Sequence, residues 1–263
     1  MNRFFGIVVA ILVLGGAVYL LFPYLRTSQT GVHVDANAKQ VQTAAVQKDS
    51  STYTVDVQYP QFGIAAVDAD IKSKIDAVVA EFEALPPNPP ESATPKNEFT
   101  GTFENVYIGP DVVSAKLILS QYTGGAHPMT IFSGVNYDRA TGKQLLQDDV
   151  FKMIGKTVEE VSAEATAKLK AKLGDTMFEE GANTNPENFS SFIISADEVT
   201  FIFQPYQVAA YAAGPQEVSF ARVAASPQTQ RQLTDCQAAC NRRCGANADC
   251  VTECYADCRA GSR

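Results

Sequence analysis

The residues with the most definite chemistry are six cysteines: Cys236, Cys240, Cys244, Cys250, Cys254 and Cys258. Within each triplet the spacing is four residues, so on a helix each triplet lies along one face. Ser226-Pro227 suits a helix start, Gly245 a stop and Asn247 a fresh cap. Two such faces meet as an antiparallel hairpin over residues 226–260. Its three rungs would be nested disulfides, Cys236–Cys258, Cys240–Cys254 and Cys244–Cys250. Six thiolates could instead hold zinc or Cu(I). Structural zinc sites use four ligands in closely spaced pairs, so the ladder fits disulfides better, and no metal is expected. A dense, even set of cysteines belongs in an oxidising compartment.

A second group comprises Tyr122, His127, Tyr206 and Tyr211, in two segments rich in glycine and proline. Gathered together, they would offer a ligand aromatic faces and hydrogen-bonding tips. The chain has two histidines, His33 and His127, so zinc or Ser-His chemistry near the loops must use His127. A pair of carboxylates is the other route to catalysis, but no Asp or Glu spacing singles one out. No catalytic residue and no cofactor is therefore expected. Turn chemistry alone accounts for Gly124, Gly125, Pro128, Pro205, Gly214 and Pro215 as loop-shaping residues, and a lone histidine after a Gly-Gly turn is commonly a loop anchor.

These loops need elements to position them. Alternation of Tyr53, Val55, Val57 and Tyr59 predicts a strand ending at Pro60. Ile71, Ile75, Val78, Phe82 and Leu85 recur at helical spacing behind Asp68 and Asp70, and the prolines from Pro86 to Pro90 stop that helix. Strand patterns follow at 99–108, 112–122, 129–138 and 143–146. A second long helix opens at Asp148 and Asp149, with Val158, Val161, Ala165, Leu169 and Leu173 on one face and Gly174 at its end. Short strands then read 192–195, 199–203 and 217–223. The expected fold class is α+β: two helices packed on a mostly antiparallel sheet.

Ahead of this domain, Phe4–Phe22 carries no charge and no strong polar group. As a helix it would span roughly 28 Å, close to the hydrocarbon thickness of a bilayer. It ends in Leu20, Leu21, Phe22 and Pro23, without the small residues of a signal-peptidase site, which favours an uncleaved anchor within residues 1–26 over a leader. Arg3 and Arg26 flank it almost evenly, so the cysteines decide the orientation: the C-terminus lies outside. With three residues ahead of the span, no cytoplasmic domain is expected. Residues 27–51 are polar and read as a tether. The net charge is −8, which argues against nucleic acid and mildly favours a cationic partner.

Two segments resemble a known family. One is Tyr122-Thr-Gly-Gly-Ala-His-Pro128, followed by Asn136-Tyr-Asp138 and Thr141-Gly-Lys143. The other runs from Phe203-Gln-Pro-Tyr206 through Tyr211-Ala-Ala-Gly-Pro215 to Glu217-Val218. Together they are similar to the RsiV-like domain, a domain of unknown function found in lysozyme-sensing anti-sigma factors and beside peptidoglycan deacetylase domains. The resemblance covers roughly residues 52–223, with 52–98 as an N-terminal part and 99–223 as the main part. Ala210 departs from it, because the family commonly has proline there. The resemblance implies an extracytoplasmic binding module without transferring a ligand. Neither an anti-sigma segment nor the histidine-rich metal site of a deacetylase is expected in this chain.

The expected protein is thus single-pass in the cytoplasmic membrane, its C-terminal domain in the periplasm or outside the cell. It would bind a wall-active cationic envelope protein such as lysozyme, or peptidoglycan glycan. The alternatives are an envelope enzyme acting on peptidoglycan, and a scaffold that recruits a partner through the cysteine-rich hairpin. An external C-terminus predicts that a C-terminal fusion to a reporter active only outside the cytoplasm will be active. Activity of a cytoplasm-only reporter on the intact chain would reverse the topology.

Overall fold

The computed structural model describes residues 41–261 apart from 90, 93–95, 224–226 and 246. The expected membrane segment Phe4–Phe22, tether residues 27–40 and Ser226 lie outside the described residues. Among those described, no helix is long and apolar enough to cross a membrane.

Five strands lie side by side in the order β1 (Gln42–Asp49), β2 (Tyr53–Gln61), β3 (Asn97–Ile108), β4 (Val112–Tyr122), β5 (Met129–Asp138). Neighbours are antiparallel except β2 and β3, which are parallel. A parallel pair needs a long crossover, supplied here by helix α1 (Ala65–Glu83). The start of α1 is tied back to β2: the Asp68 carboxylate accepts the Phe62 and Gly63 amides at 2.7 and 3.0 Å. Val67, Ile71, Ile75, Val79 and Phe82 are buried in one core with Val55, Val57, Val113, Leu117 and Tyr137.

Two expectations are corrected in this layer. Gln42–Asp49 is a strand, although the polar composition of 27–51 reads as a tether. As an edge strand β1 buries only one side, so Ala44 and Val46 suffice to pack it, and the β2 ladder with the Ser50 turn supplies the rest. On α1, Val79 takes the buried position expected of Val78. Val78 is half-buried, and Leu85 lies past the end of the helix and is exposed.

A second, antiparallel sheet comprises β6 (Phe192–Ile194), β7 (Glu198–Phe203) and β8 (Gln216–Ala221). The expected single long helix is two: α2 (Gln147–Ile154) and α3 (Val158–Leu173). Gly155 at φ 64° turns the backbone out of the helix, and Thr157 starts the next, accepting from the Glu160 amide while the Glu160 carboxylate accepts the Thr157 amide. Val150, Ile154, Val161, Ala165 and Leu169 pack against Phe189, Phe201, Phe203 and Phe220 in a second core. Residues 143–146 contribute a single bridge, Tyr137 to Gln144, instead of a strand. The fold is α+β, with two sheets and two cores in place of one sheet.

The two layers are joined through β4 and β5. Val113, Ala115 and Leu117 point into the α1 core; Ser114 and Lys116 point the other way. Ser114 Oγ donates to Asn136 Oδ1 at 2.7 Å and accepts the Ile194 amide at 2.9 Å, while Asn136 Nδ2 donates to Phe192 O at 2.7 Å. Between them Gly134 passes so close to β6 that a Cβ there would lie 1.6 Å from Phe192 O. Lys116 extends this seam, pairing with Glu104 at 2.7 Å and Glu217 at 2.8 Å. Burial disfavours its charged form, but the two carboxylates outweigh that and hold its pKa above the ordinary lysine value. A raised lysine pKa contributes stability that is complete below the unfolded value and is lost only as pH climbs through the folded one, so this tie persists at neutral pH.

The C-terminal cysteines lie on α4 (Pro227–Cys244) and α5 (Ala248–Gly261). Gly245 takes φ 58° between them, and Asn247 Oδ1 accepts the Cys250 amide at 3.1 Å as the cap of α5. Cys236 is bonded to Cys258, Cys240 to Cys254 and Cys244 to Cys250. The sulfurs of Cys236, Cys240 and Cys258 lie within 4.8 Å of one another, but all three are consumed in these bonds.

The seam predicts a test of stability. Asn136→Ala strands the Ser114 hydroxyl and Phe192 carbonyl, and should cost about 2 kcal/mol, or roughly 4–8 °C in the melting temperature. Gly134→Ala should cost more, because backbone must move. Thermal unfolding followed by circular dichroism checks both, and an unchanged melt for Gly134→Ala would show that the sheets are joined differently.

Candidate binding site

Strand β4 ends at Tyr122, and the next six residues return the chain to β5. Gly124 and Gly125 take φ of 98° and 107°, values that side chains rarely adopt, while nothing lies within 4 Å of where a Cβ would be. Backbone angle, not crowding, is thus what requires glycine there. Tyr122 hydroxyl donates to Gly125 O at 2.9 Å and pins the turn. His127 Nδ1 lies 2.9 Å from Pro128 O. A carbonyl only accepts, so Nδ1 carries a proton in this contact.

The second loop, 204–215, leaves β7 and is held by amide side chains. Gln204 Oε1 accepts the Phe132 amide at 2.9 Å and its Nε2 donates to Phe132 O at 2.6 Å, which closes the outer edge of β5 as a neighbouring strand would. Gln207 Nε2 donates to Gly181 O and Asn188 O. Gln216 is buried at the start of β8, donates to Ala213 O at 2.7 Å and leaves its Oε1 without a hydrogen-bond partner. Gly214 takes φ 67° at the loop's exit.

The two loops meet at Pro128, whose carbonyl also accepts the Tyr211 hydroxyl at 3.2 Å. His127 and Tyr211 are stacked, centroids 3.7 Å apart and planes 14° from parallel. Tyr206 stands 5.4 Å from Tyr211 and 6.5 Å from His127, with a φ of 69° uncommon for a non-glycine residue, and is 60% exposed. Such a backbone costs about 1–3 kcal/mol wherever the surrounding structure enforces it. The rings border a groove of about 380 Å³ lined also by Gln121, Met129 and Pro205. Of the four residues singled out from the sequence, His127, Tyr206 and Tyr211 converge. Tyr122 does not line the groove; it fastens the turn. Gly124 and Pro205 line it, whereas Gly125, Pro128, Gly214 and Pro215 act on the backbone around it. Sequence reading missed Gln121 and Met129, which look like ordinary strand-end residues, and Gln204, whose anchoring depends on β5 being an edge.

A polar cluster elsewhere on the first sheet is structural. Tyr137 hydroxyl donates to Asp70 at 2.7 Å, and Lys74 pairs with the same carboxylate at 2.7 Å. Those two bonds, Lys74 first, hold Asp70 below the usual carboxylate range; burial, then the bond to Asp70, pushes the Tyr137 phenol far above its ordinary value. A phenol so hard to ionise is unsuited to acid–base work at neutral pH.

Comparison with known proteins places the two loops in different matches. Residues 148–222 match the family model described as "Protein of unknown function (DUF3298)". Residues 46–130 match the model described as "Deacetylase PdaC". The first loop falls in one match and the second in the other, so the groove is built across both. The peptidoglycan-N-acetylmuramic acid deacetylase PdaC of Bacillus subtilis is 27% identical over 225 residues, 82% of this chain and 48% of that protein. This chain therefore spans about half the length of that relative. The immunogenic protein MPT64 of Mycobacterium tuberculosis is 23% identical over 190 residues, 70% of this chain and 81% of that protein. Among solved structures, a DUF3298 family protein of Pseudomonas aeruginosa aligns at a TM-score of 0.46 with 17% identity, covering 70% of this chain and 92% of that one.

The stack makes a spectroscopic prediction. The His127 Hε1 resonance should be shifted upfield by the Tyr211 ring, should move downfield in Tyr211→Ala, and should stay in place in Tyr211→Phe. A resonance indifferent to Tyr211→Ala would show that the rings are apart in solution.

Proposed function

We propose that this protein is an extracytoplasmic, membrane-tethered binding module of the cell envelope, and that the groove between loops 122–128 and 204–215 is its recognition surface. The observation that carries the reading is the His127–Tyr211–Tyr206 cluster, built at the cost of a left-handed backbone at Tyr206 and left open to solvent. The positive φ at Tyr206 belongs to a turn in which the Gln207 amide donates to Gln204 O at 2.9 Å; that turn presents the ring outward, and exposed tyrosines with free ring faces are recurrent anchors in recognition. Similarity to a peptidoglycan deacetylase over most of the chain supports a place at the wall. The finer likeness to the RsiV-like domain of lysozyme sensors suggests the ligand class: a cationic wall-active protein such as lysozyme, or peptidoglycan glycan. A net charge of −8 would steer a cationic protein toward it.

The test is titration of the full chain with a lysozyme and, separately, with soluble peptidoglycan fragments. Tyr206→Ala or Tyr211→Ala should remove about 2 kcal/mol, a roughly thirtyfold loss of affinity. For a protein ligand, association should also slow as salt rises. Binding to neither, or binding indifferent to both substitutions in folded protein, would remove the groove from consideration.

A further inference from the structure

A second cavity, of about 270 Å³, opens beside the tyrosine groove and shares Gln121 and Met129 with it. It lies between the C-terminal end of α1 and the strands β3, β4 and β5. Phe82 and Phe99, stacked at 5.1 Å, line it together with Val78, Leu119 and Ile131. Its mouth is apolar and open to water: Met129 is 65% exposed and Ile131 51% exposed. Met129 and Ile131 are two residues apart on β5 and so share one face of the strand.

One polar feature at this slot indicates what enters it. Along α1 the carboxylates have partners: Asp68 holds two backbone amides, Asp70 pairs with Lys74, Asp76 with Lys72 and Glu83 with Lys48. Glu81 alone makes no hydrogen bond or ion pair with any described residue, and Glu81 lines the slot. An unpaired carboxylate beside an aliphatic cavity complements an apolar side chain that has a cation next to it. A sugar fits poorly, since its hydroxyls would lose water against Ile131, Met129 and Leu119 with only Glu81 and Gln121 to replace it.

We infer that the ligand of this surface is a polypeptide: the slot takes one of its large apolar side chains, Glu81 pairs with an adjacent Lys or Arg, and the chain continues over the tyrosine stack. This rests on the proposed role of the groove and adds to it a subsite and a choice between ligand classes.

The experiment selects peptides from a random heptapeptide display library on the full chain in lipid nanodiscs. A parallel selection uses Glu81→Lys, and the winners are titrated against Ile131→Ser and Tyr206→Ala. Both slot positions are solvent-facing, so the variants should match the parent in thermal melting. The expected result is enrichment of an aliphatic or aromatic residue beside a basic one. Glu81→Lys should change that neighbour to an acidic one, and Ile131→Ser should weaken the parent's peptide about tenfold or more. Peptides that depend on Tyr206 but ignore Ile131 and Glu81 would overturn the slot and leave the groove standing. No enrichment, with soluble peptidoglycan fragments bound through Tyr206, would overturn the polypeptide ligand and keep a glycan reader. A dimer of the chain that Ile131→Ser converts to monomer would assign the slot to a second copy and overturn the inference. Loss of both peptide and fragment binding would remove the groove along with the slot.

Discussion

The architecture depends on one buried polar contact, the clasp that Ser114 and Asn136 make on the backbone of β6. Two sheets with separate apolar cores have no reason to keep a fixed relation through hydrophobic burial alone, which is non-directional. Here a hydroxyl and an amide from adjacent strands of the first sheet bond the Ile194 amide and the Phe192 carbonyl of the second. Every one of those groups is buried, so leaving any unpaired would cost more than the bond itself returns. The clasp therefore specifies register as well as contact. Gly134 allows it, because only a residue without Cβ lets Phe192 O approach β5 so closely.

The binding groove follows from that registration. Gln204 can close the edge of β5 only where β7 exits at the level of Phe132, a level set by the clasp several residues along the same strand. Once Gln204 is seated, loop 204–215 must turn back over the β4–β5 loop, which brings Tyr211 onto His127 and both onto the carbonyl of Pro128. The aromatic surface is thus held by backbone and amide groups beneath it, leaving ring faces available. His127 and Tyr211 are both bonded to the Pro128 carbonyl, so the rings are held in place before any ligand arrives, as a pre-organised recognition surface requires.

The disulfide hairpin is a separate solution to a different problem. Two helices totalling some thirty residues bury too little apolar surface to fold unaided, and three crosslinks limit the unfolded alternatives instead. Its rungs are placed by the helical repeat, so its geometry needs nothing from the two sheets.

By itself the sequence determined what is local and periodic. The cysteine spacing, α1, the β3–β5 strands and the glycine-dependent turn at 124–125 follow from period, propensity and backbone angle, all of which act within a few residues. Tertiary structure decided the rest. β1 is invisible as a strand because an edge strand with one packed side needs only Ala44 and Val46, too few to make a pattern. The break at Gly155 reads as continuous helix because the apolar stripe resumes on nearly the same face after Thr157. The division into two sheets, with β2 and β3 parallel, arises from pairings between strands far apart in sequence. Of the aromatic site, His127 and the tyrosines were legible as a group through their loops. Their stacking, the exclusion of Tyr122 from the groove, and the opening of the Glu81 slot beside them were not. Those depend on where β7 and α1 end in space, a long-range distance that no local repeat encodes.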